Sequence, residues 1–170
     1  MKTLFVALIF VLGLSFATFG QKAAAGTKAD PTKPVKDAFE RFADGIRTVD
    51  AAKVMSSYAK SEDMLIFNNN GTVTRGYETV KTNTEAVYAR LKNVTLDITG
   101  LRVEMLGKTA AYVTCKWRQS QENNGNFETS SGRMTLVYKL VGKDWKITHR
   151  HTSPETPSAA APVFPSERTN

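Results

Sequence analysis

The second half of the chain alternates. From Leu96 to Ser153, apolar residues return at every second position through four stretches, which is the period of a half-buried β-strand. Ala111, Val113, Cys115 and Trp117 share one side of the second stretch, with Tyr112, Thr114, Lys116 and Arg118 opposite. Met134, Leu136, Tyr138 and Leu140 share one side of the third, with Arg133, Thr135, Val137 and Lys139 opposite. The reversals fall at Leu106-Gly107-Lys108, Asn123-Asn124-Gly125-Asn126 and Val141-Gly142-Lys143-Asp144, where Asn and Gly accept the positive φ of tight hairpins. In the first stretch Leu96 and Ile98 keep one phase, whereas Leu101, Val103 and Met105 keep the other. The slip falls on Gly100, so a β-bulge is expected there, bending and twisting the sheet.

The fourth stretch, Trp145-Lys146-Ile147-Thr148-His149-Arg150-His151-Thr152-Ser153, contains both histidines of the chain. Strict alternation puts Trp145, Ile147, His149 and His151 on one face, and Lys146, Thr148, Arg150 and Thr152 on the other. An apolar face that turns polar near the strand's end is what a pocket wall would present.

Helices precede the strands. Pro34 stands in a favoured first-turn position, and Val35, Ala38, Phe39, Phe42 and Ile46 recur at helical spacing. Gly45 weakens the end of that helix. Asp50 is placed to cap a second, short helix with Ala51, Val54, Met55 and Tyr58 facing inward. Met64-Leu65-Ile66-Phe67 and Thr72-Val73-Thr74-Arg75 flank Asn68-Asn69-Asn70-Gly71 and predict a hairpin. Tyr77 to Leu91 predicts a third helix with Val80, Thr84, Val87, Tyr88 and Leu91 inside. Strands grouped after helices indicate α+β: a cone-shaped, curved antiparallel sheet with three N-terminal helices packed in its concave face.

The ends differ from this body. Residues 1–20 pair a short positive start with the apolar run Leu4 to Leu14 and small residues at Ser15, Ala17 and Gly20. That is the pattern of a secretory signal peptide cleaved near Gly20 and Gln21, and it is short for a membrane span. No cysteine stands near the cleavage region, which excludes a lipoprotein. Residues 21–33 are a lead-in expected to be flexible, 34–153 the domain, and 154–170 a Pro-, Ala-, Ser- and Thr-rich tail expected to be disordered. The expected location is outside the cytoplasm, periplasmic or secreted, with no membrane contact after the leader is removed.

Composition narrows the chemistry. Cys115 is the only cysteine, so neither an intramolecular disulfide nor a cysteine-based zinc site can form. In mid-strand it is expected to be a small buried hydrophobe. Without Lys2, 22 basic and 16 acidic residues leave about +6 on the mature chain. The basic residues are scattered rather than interleaved with aromatics along one face, so nucleic acid is not an expected partner. Asn70-Gly71-Thr72 and Asn93-Val94-Thr95 match a glycosylation pattern that matters only in a eukaryotic secretory pathway.

His149 and His151 are candidates for a general base and its partner. As metal ligands they lack a third, since no further His or usable Cys exists; no metal and no cofactor is expected. Structural histidines bonded to backbone or to a partner subunit remain the bland alternative. Asp63 is the candidate acid, with turn formation as its alternative. Trp117, Tyr138, Tyr58 and Tyr88 join the two histidines as candidate ligand contacts, and each would serve equally as core.

These residues resemble the SnoaL-like branch of the nuclear-transport-factor-2-like superfamily, close to the calcium/calmodulin-dependent protein kinase II association domain. The resemblance spans about Val35 to Ser153. It is carried by Gly132-Arg133-Met134-Thr135-Leu136-Val137-Tyr138 and the Trp-x-Ile-x-His-x-His-x-Ser ending, with Asn70-Gly71 and Arg75-Gly76 matching the family's hairpin. It implies a conical fold, a homodimer or larger homo-oligomer built through the outer sheet face, and a deep pocket. Two departures stand out. The inward faces quoted above carry no acid of the kind that superfamily isomerases and hydrolases aim into the pocket. Trp117 stands near the association domain's pocket arginine, which weighs against an arginine-bound anion, and Arg150 replaces that domain's aromatic between the histidines. The expected function is binding of a small, largely apolar molecule. Proton-transfer catalysis of isomerase, hydrolase or lyase type by His149 or His151, and an oligomerisation scaffold, are the alternatives.

Overall fold

The computed structural model describes residues 29–155. The expected leader, most of the lead-in and most of the tail fall outside them. Helix α1 (Lys33–Arg47) starts with Pro34 in its first turn and buries Val35, Ala38, Phe39, Phe42 and Ala43 along one face. Helix α2 (Ala51–Ser56) is capped by Asp50, whose side chain accepts from the Lys53 N–H at 2.8 Å. Gly45 lets the two helices approach: a Cβ there would lie 2.9 Å from Val54 Cγ2. The glycine that weakens α1 as a helix therefore tightens the helix pair.

A hairpin of β1 (Leu65–Phe67) and β2 (Val73–Arg75) follows, then α3 (Tyr77–Tyr88). The third helix is shorter than its periodicity predicts; Leu91 opens the next strand rather than closing the helix. Four strands complete the fold: β3 (Leu91–Met105), β4 (Ala110–Asn123), β5 (Asn126–Val141) and β6 (Asp144–Pro154). The sheet order is β2-β1-β6-β5-β4-β3, and β1 runs parallel to β6 while all other neighbours are antiparallel. The sheet is curved and does not close, so the α+β cone predicted from the alternation is the observed architecture.

Bulges produce the curvature. Opposite β4, the register of β3 jumps between Thr99 and Arg102, with Gly100 at φ 63°, where the phase slip predicts it. A second jump lies between Lys92 and Thr95, with Asn93 at φ 50°. A third lies in β6: Tyr138 pairs with Ile147 but Val137 pairs with His149, leaving Thr148 as the extra residue.

One apolar core fills the concave side. Phe39, Phe42 and Val54 from the helices meet Ala111, Val113, Leu136, Tyr138 and Ile147 from the sheet. Phe42 packs edge-on against Tyr58, centroids 5.9 Å apart. The segment after α2 is tied to β6 on both sides of Tyr58: the Ile147 N–H donates to the Ser57 carbonyl at 2.8 Å and the Ala59 N–H to the Ile147 carbonyl at 2.9 Å. Beyond the Thr148 bulge, β1 takes over as the neighbour of β6.

Candidate functional site

Because Thr148 adds one residue to β6, every side chain after it changes face. Arg150 is paired with Leu136 and Ile66, both fully or almost fully buried, so it shares the core-facing side with Ile147. His149 and His151 are paired with Val137 and Thr135 on the opposite side. Strict alternation placed the imidazoles inside and Arg150 outside; the bulge reverses both assignments. Phe67 of β1 lies beside the imidazoles on the outer face, with ring centroids 5.3 Å from His149 and 5.5 Å from His151, both edge-on.

The mouth of the cone opens into a cavity of about 1110 Å³ between α3, the β1–β2 hairpin and the inner faces of β4 and β5. Its apolar wall includes Phe42, Ile46, Val54, Ile66, Val80 and Trp117, and its polar wall includes Asn68, Asn83, Thr84, Gln119, Gln121 and Arg150. Gln119 and Gln121 continue the inward alternation of β4 beyond Trp117, as Ser130 and Glu128 do that of β5 before Gly132, while Asn68, Asn83, Thr84 and Arg150 come from the hairpin, α3 and β6.

Arg150 is held by two neutral acceptors. Its Nη1 donates to Tyr58 Oη at 3.1 Å and its Nη2 to Asn68 Oδ1 at 3.3 Å. The amide of Asn68 is oriented by donation to Thr72 Oγ1 at 3.1 Å and Thr74 Oγ1 at 3.0 Å, which leaves its oxygen for the guanidinium. The Nε of Arg150 is buried without an acceptor. Burial holds the Tyr58 hydroxyl above the usual phenol range, against the opposing pull of Arg150. Burial does the same to Tyr88, again opposed by Arg150. Both phenols are therefore neutral hydrogen-bonding groups at physiological pH.

The other sequence candidates are dispersed. Trp117 and Tyr88 line the cavity. The Trp117 indole lies over Gly132, where a Cβ would come 3.1 Å from the ring and 2.2 Å from the Ser153 carbonyl oxygen. Tyr58 is buried behind the cavity and meets it through Arg150. Tyr138 is fully buried in the core, its hydroxyl without a partner and its ionisation pushed up by burial. Asp63 is exposed in the turn before β1, where its N–H donates to Ser61 Oγ at 3.1 Å. Among the described residues, no group of three or more His, Cys, Asp or Glu side chains is placed to hold a metal ion.

Three charged residues of the cavity wall, Arg90, Glu128 and Arg150, are not among the sequence candidates. Arg150 was hidden by the bulge. Glu128 supplies the inward carboxylate that the sequence was read to lack, and it accepts from the Gln121 side-chain amide and, at 3.3 Å, from Asn123 Nδ2. Carrying the alternation of β5 back through Gly132 and Ser130 to Glu128 would have found it, but those positions are polar and resemble the flank of a turn.

A model of the SnoaL-like domain family matches residues 35–157. The chain belongs to this family. No curated protein matches it in sequence. Among solved structures, an NTF2-like superfamily protein from Salmonella enterica serovar Typhimurium superposes with a TM-score of 0.69 at 17% identity, over 79% of this chain and 97% of that one. A proposed dehydratase of the NTF2-like family from Streptomyces avermitilis gives 0.65 at 19%, over 72% and 94%. A proposed calcium/calmodulin-dependent protein kinase II association domain from Xanthomonas campestris gives 0.63 at 20%, over 78% and 92%. At these identities the SnoaL-like chain and its neighbours share a fold, which is the fold that the closing strand's resemblance implies.

Proposed function

We propose that this SnoaL-like protein is exported and binds a small, largely apolar molecule in the mouth of its cone. The observation that carries this reading is the cavity of about 1110 Å³, walled by Phe42, Ile46, Val54, Ile66, Val80 and Trp117. A folded domain of this size has no packing reason to leave so large an apolar concavity, and such concavities are the usual seats of small ligands. Catalysis by His149 or His151 within this cavity has no support from their outward position. Export is supported by the charge, apolar run and small residues of positions 1–20; the N-terminal mass of protein recovered outside the cytoplasm tests it, and an intact Met1 start there would overturn cleavage.

The neutral, environment-sensitive dye Nile red is a direct probe of the cavity. Saturable binding is expected in the full chain, and Thr84→Trp, which fills the space beside α3, should weaken it at least about tenfold without lowering the melting temperature. Equal binding by the variant would place the dye elsewhere and remove the reading. We propose in addition that the outer sheet face pairs two copies. Phe67, 36% exposed between two imidazoles, is the kind of aromatic that a homodimer interface covers.

A further inference from the structure

The cavity wall contains two arginines without an ion pair among the described residues: Arg90, which is exposed, and Arg150, which is half-buried and held by the fold. Among the described residues, no carboxylate is within ion-pair distance of Arg150. Of the five guanidinium N–H groups, two reach Tyr58 Oη and Asn68 Oδ1 and the buried Nε has no acceptor. Each terminal nitrogen keeps a second N–H. Glu128, the acid of the cavity wall, is too distant to serve. It stands eight residues along β5 from Leu136, the partner of Arg150, roughly 26 Å of extended strand. It is also occupied by the amides of Gln121 and Asn123.

A half-buried guanidinium that lines a cavity, with its Nε shut off from any acceptor and its other contacts only neutral oxygens, gains by meeting a counter-charge. Tyr58 and Tyr88 cannot become that charge, since burial keeps both phenols protonated. The fold keeps the Nε without an acceptor, together with a hairpin amide that two threonines aim at the guanidinium. Such an arrangement is preorganised for an anion entering from the cavity.

We propose that the ligand of this cavity is a small carboxylic acid with an apolar body, whose carboxylate lies against the terminal nitrogens of Arg150. This rests on the pocket reading above and adds the class of molecule. One guanidinium matches one negative charge, and its paired N–H groups match the two oxygens of a carboxylate. The apolar body would then lie along Val54, Ile66, Val80 and Trp117.

The test compares apolar carboxylic acids with their own primary amides, for example 4-phenylbutanoate against 4-phenylbutanamide across a panel of such pairs. Displacement of Nile red from the full chain reports their affinity. The acids should bind at least about tenfold more tightly than the amides, as expected for a charge-assisted contact. That preference should vanish in Arg150→Gln. It should also vanish in Asn68→Asp, which supplies an internal carboxylate beside Nη2 and keeps the arginine, so a folding defect in one variant does not blunt the test. Amides that bind as well as acids, or a preference that survives both variants, would overturn the inference. So would a cavity that binds Nile red but none of the acids. If Nile red itself is indifferent to Thr84→Trp, the pocket reading falls first, and the two failures are thereby distinguished.

Discussion

The two halves of β6 are built from similar residues and serve opposite purposes. Before Thr148, Trp145 and Ile147 follow strict alternation into the core, and Ile147 is bridged to Tyr58 through its backbone. After Thr148, the core-facing position is taken by Arg150, and the aromatic-like imidazoles face outward against Phe67. A single extra residue divides a strand that seals the cone from one that equips its mouth. The difference teaches that a bulge can re-aim side chains: it turns one cation inward without altering the residue pattern around it.

Deleting Thr148 would break this comparison outright. The strand would regain strict alternation, turning His149 toward the core and Arg150 toward the outer face, against the registers that β1 and β5 impose. A loss of more than ~4 kcal/mol is expected, the scale of severe core disruption, read as lost cooperativity in a thermal or urea melt. A native-like melt would show that the bulge is incidental. Substitutions on either side sharpen the same contrast. Ile147→Ala removes a fully buried side chain and should cost about 2–5 kcal/mol. Phe67→Asp, on the outer face of the second half, should cost less than about 1 kcal/mol in the monomer yet halve the mass seen by light scattering. An unchanged mass, or a monomer from the start, would remove the proposed pairing of outer faces.

The sequence carried the cone well because its main devices are local. The Gly100 phase slip marked a bulge, Asp50 marked a cap, and the Asn-Gly and Gly-Lys pairs marked hairpins. The bulge at Thr148 left no such mark. It carries neither a glycine nor a phase slip, because Trp, Ile, His and His alternate smoothly across it. Its physical cause is non-local: β6 pairs with the Tyr58 segment on one side of Thr148 and with β1 on the other. The site was correspondingly less legible than the fold. Trp117 and Tyr88 were found as aromatics at inward positions, whereas Arg150 needed the register and Glu128 needed the true length of β5.

The smallest predicted effect concerns Cys115, which lies on the sealed inner face of β4 at 6% exposure. Burial pushes its thiol up to about 11 from an ordinary value near 9.0. The unfolded chain therefore releases this proton about two pH steps before the folded chain does, so between those values the native state binds more protons than the unfolded one. Stability must fall as pH rises across that window, and the contribution is intact below it. Cys115→Ala should flatten the decline of melting temperature between pH 9 and pH 11 without changing its value ranking at pH 7 relative to other small core substitutions. Burial raises the phenols of Tyr58, Tyr88 and Tyr138 in the same direction from an ordinary value of 10.0, so their own decline begins near pH 10 and the Cys115 effect is read most cleanly between pH 9 and pH 10. Rapid alkylation of the folded protein by iodoacetamide at pH 8 would contradict the sealed position, because that reaction requires the thiolate that burial suppresses.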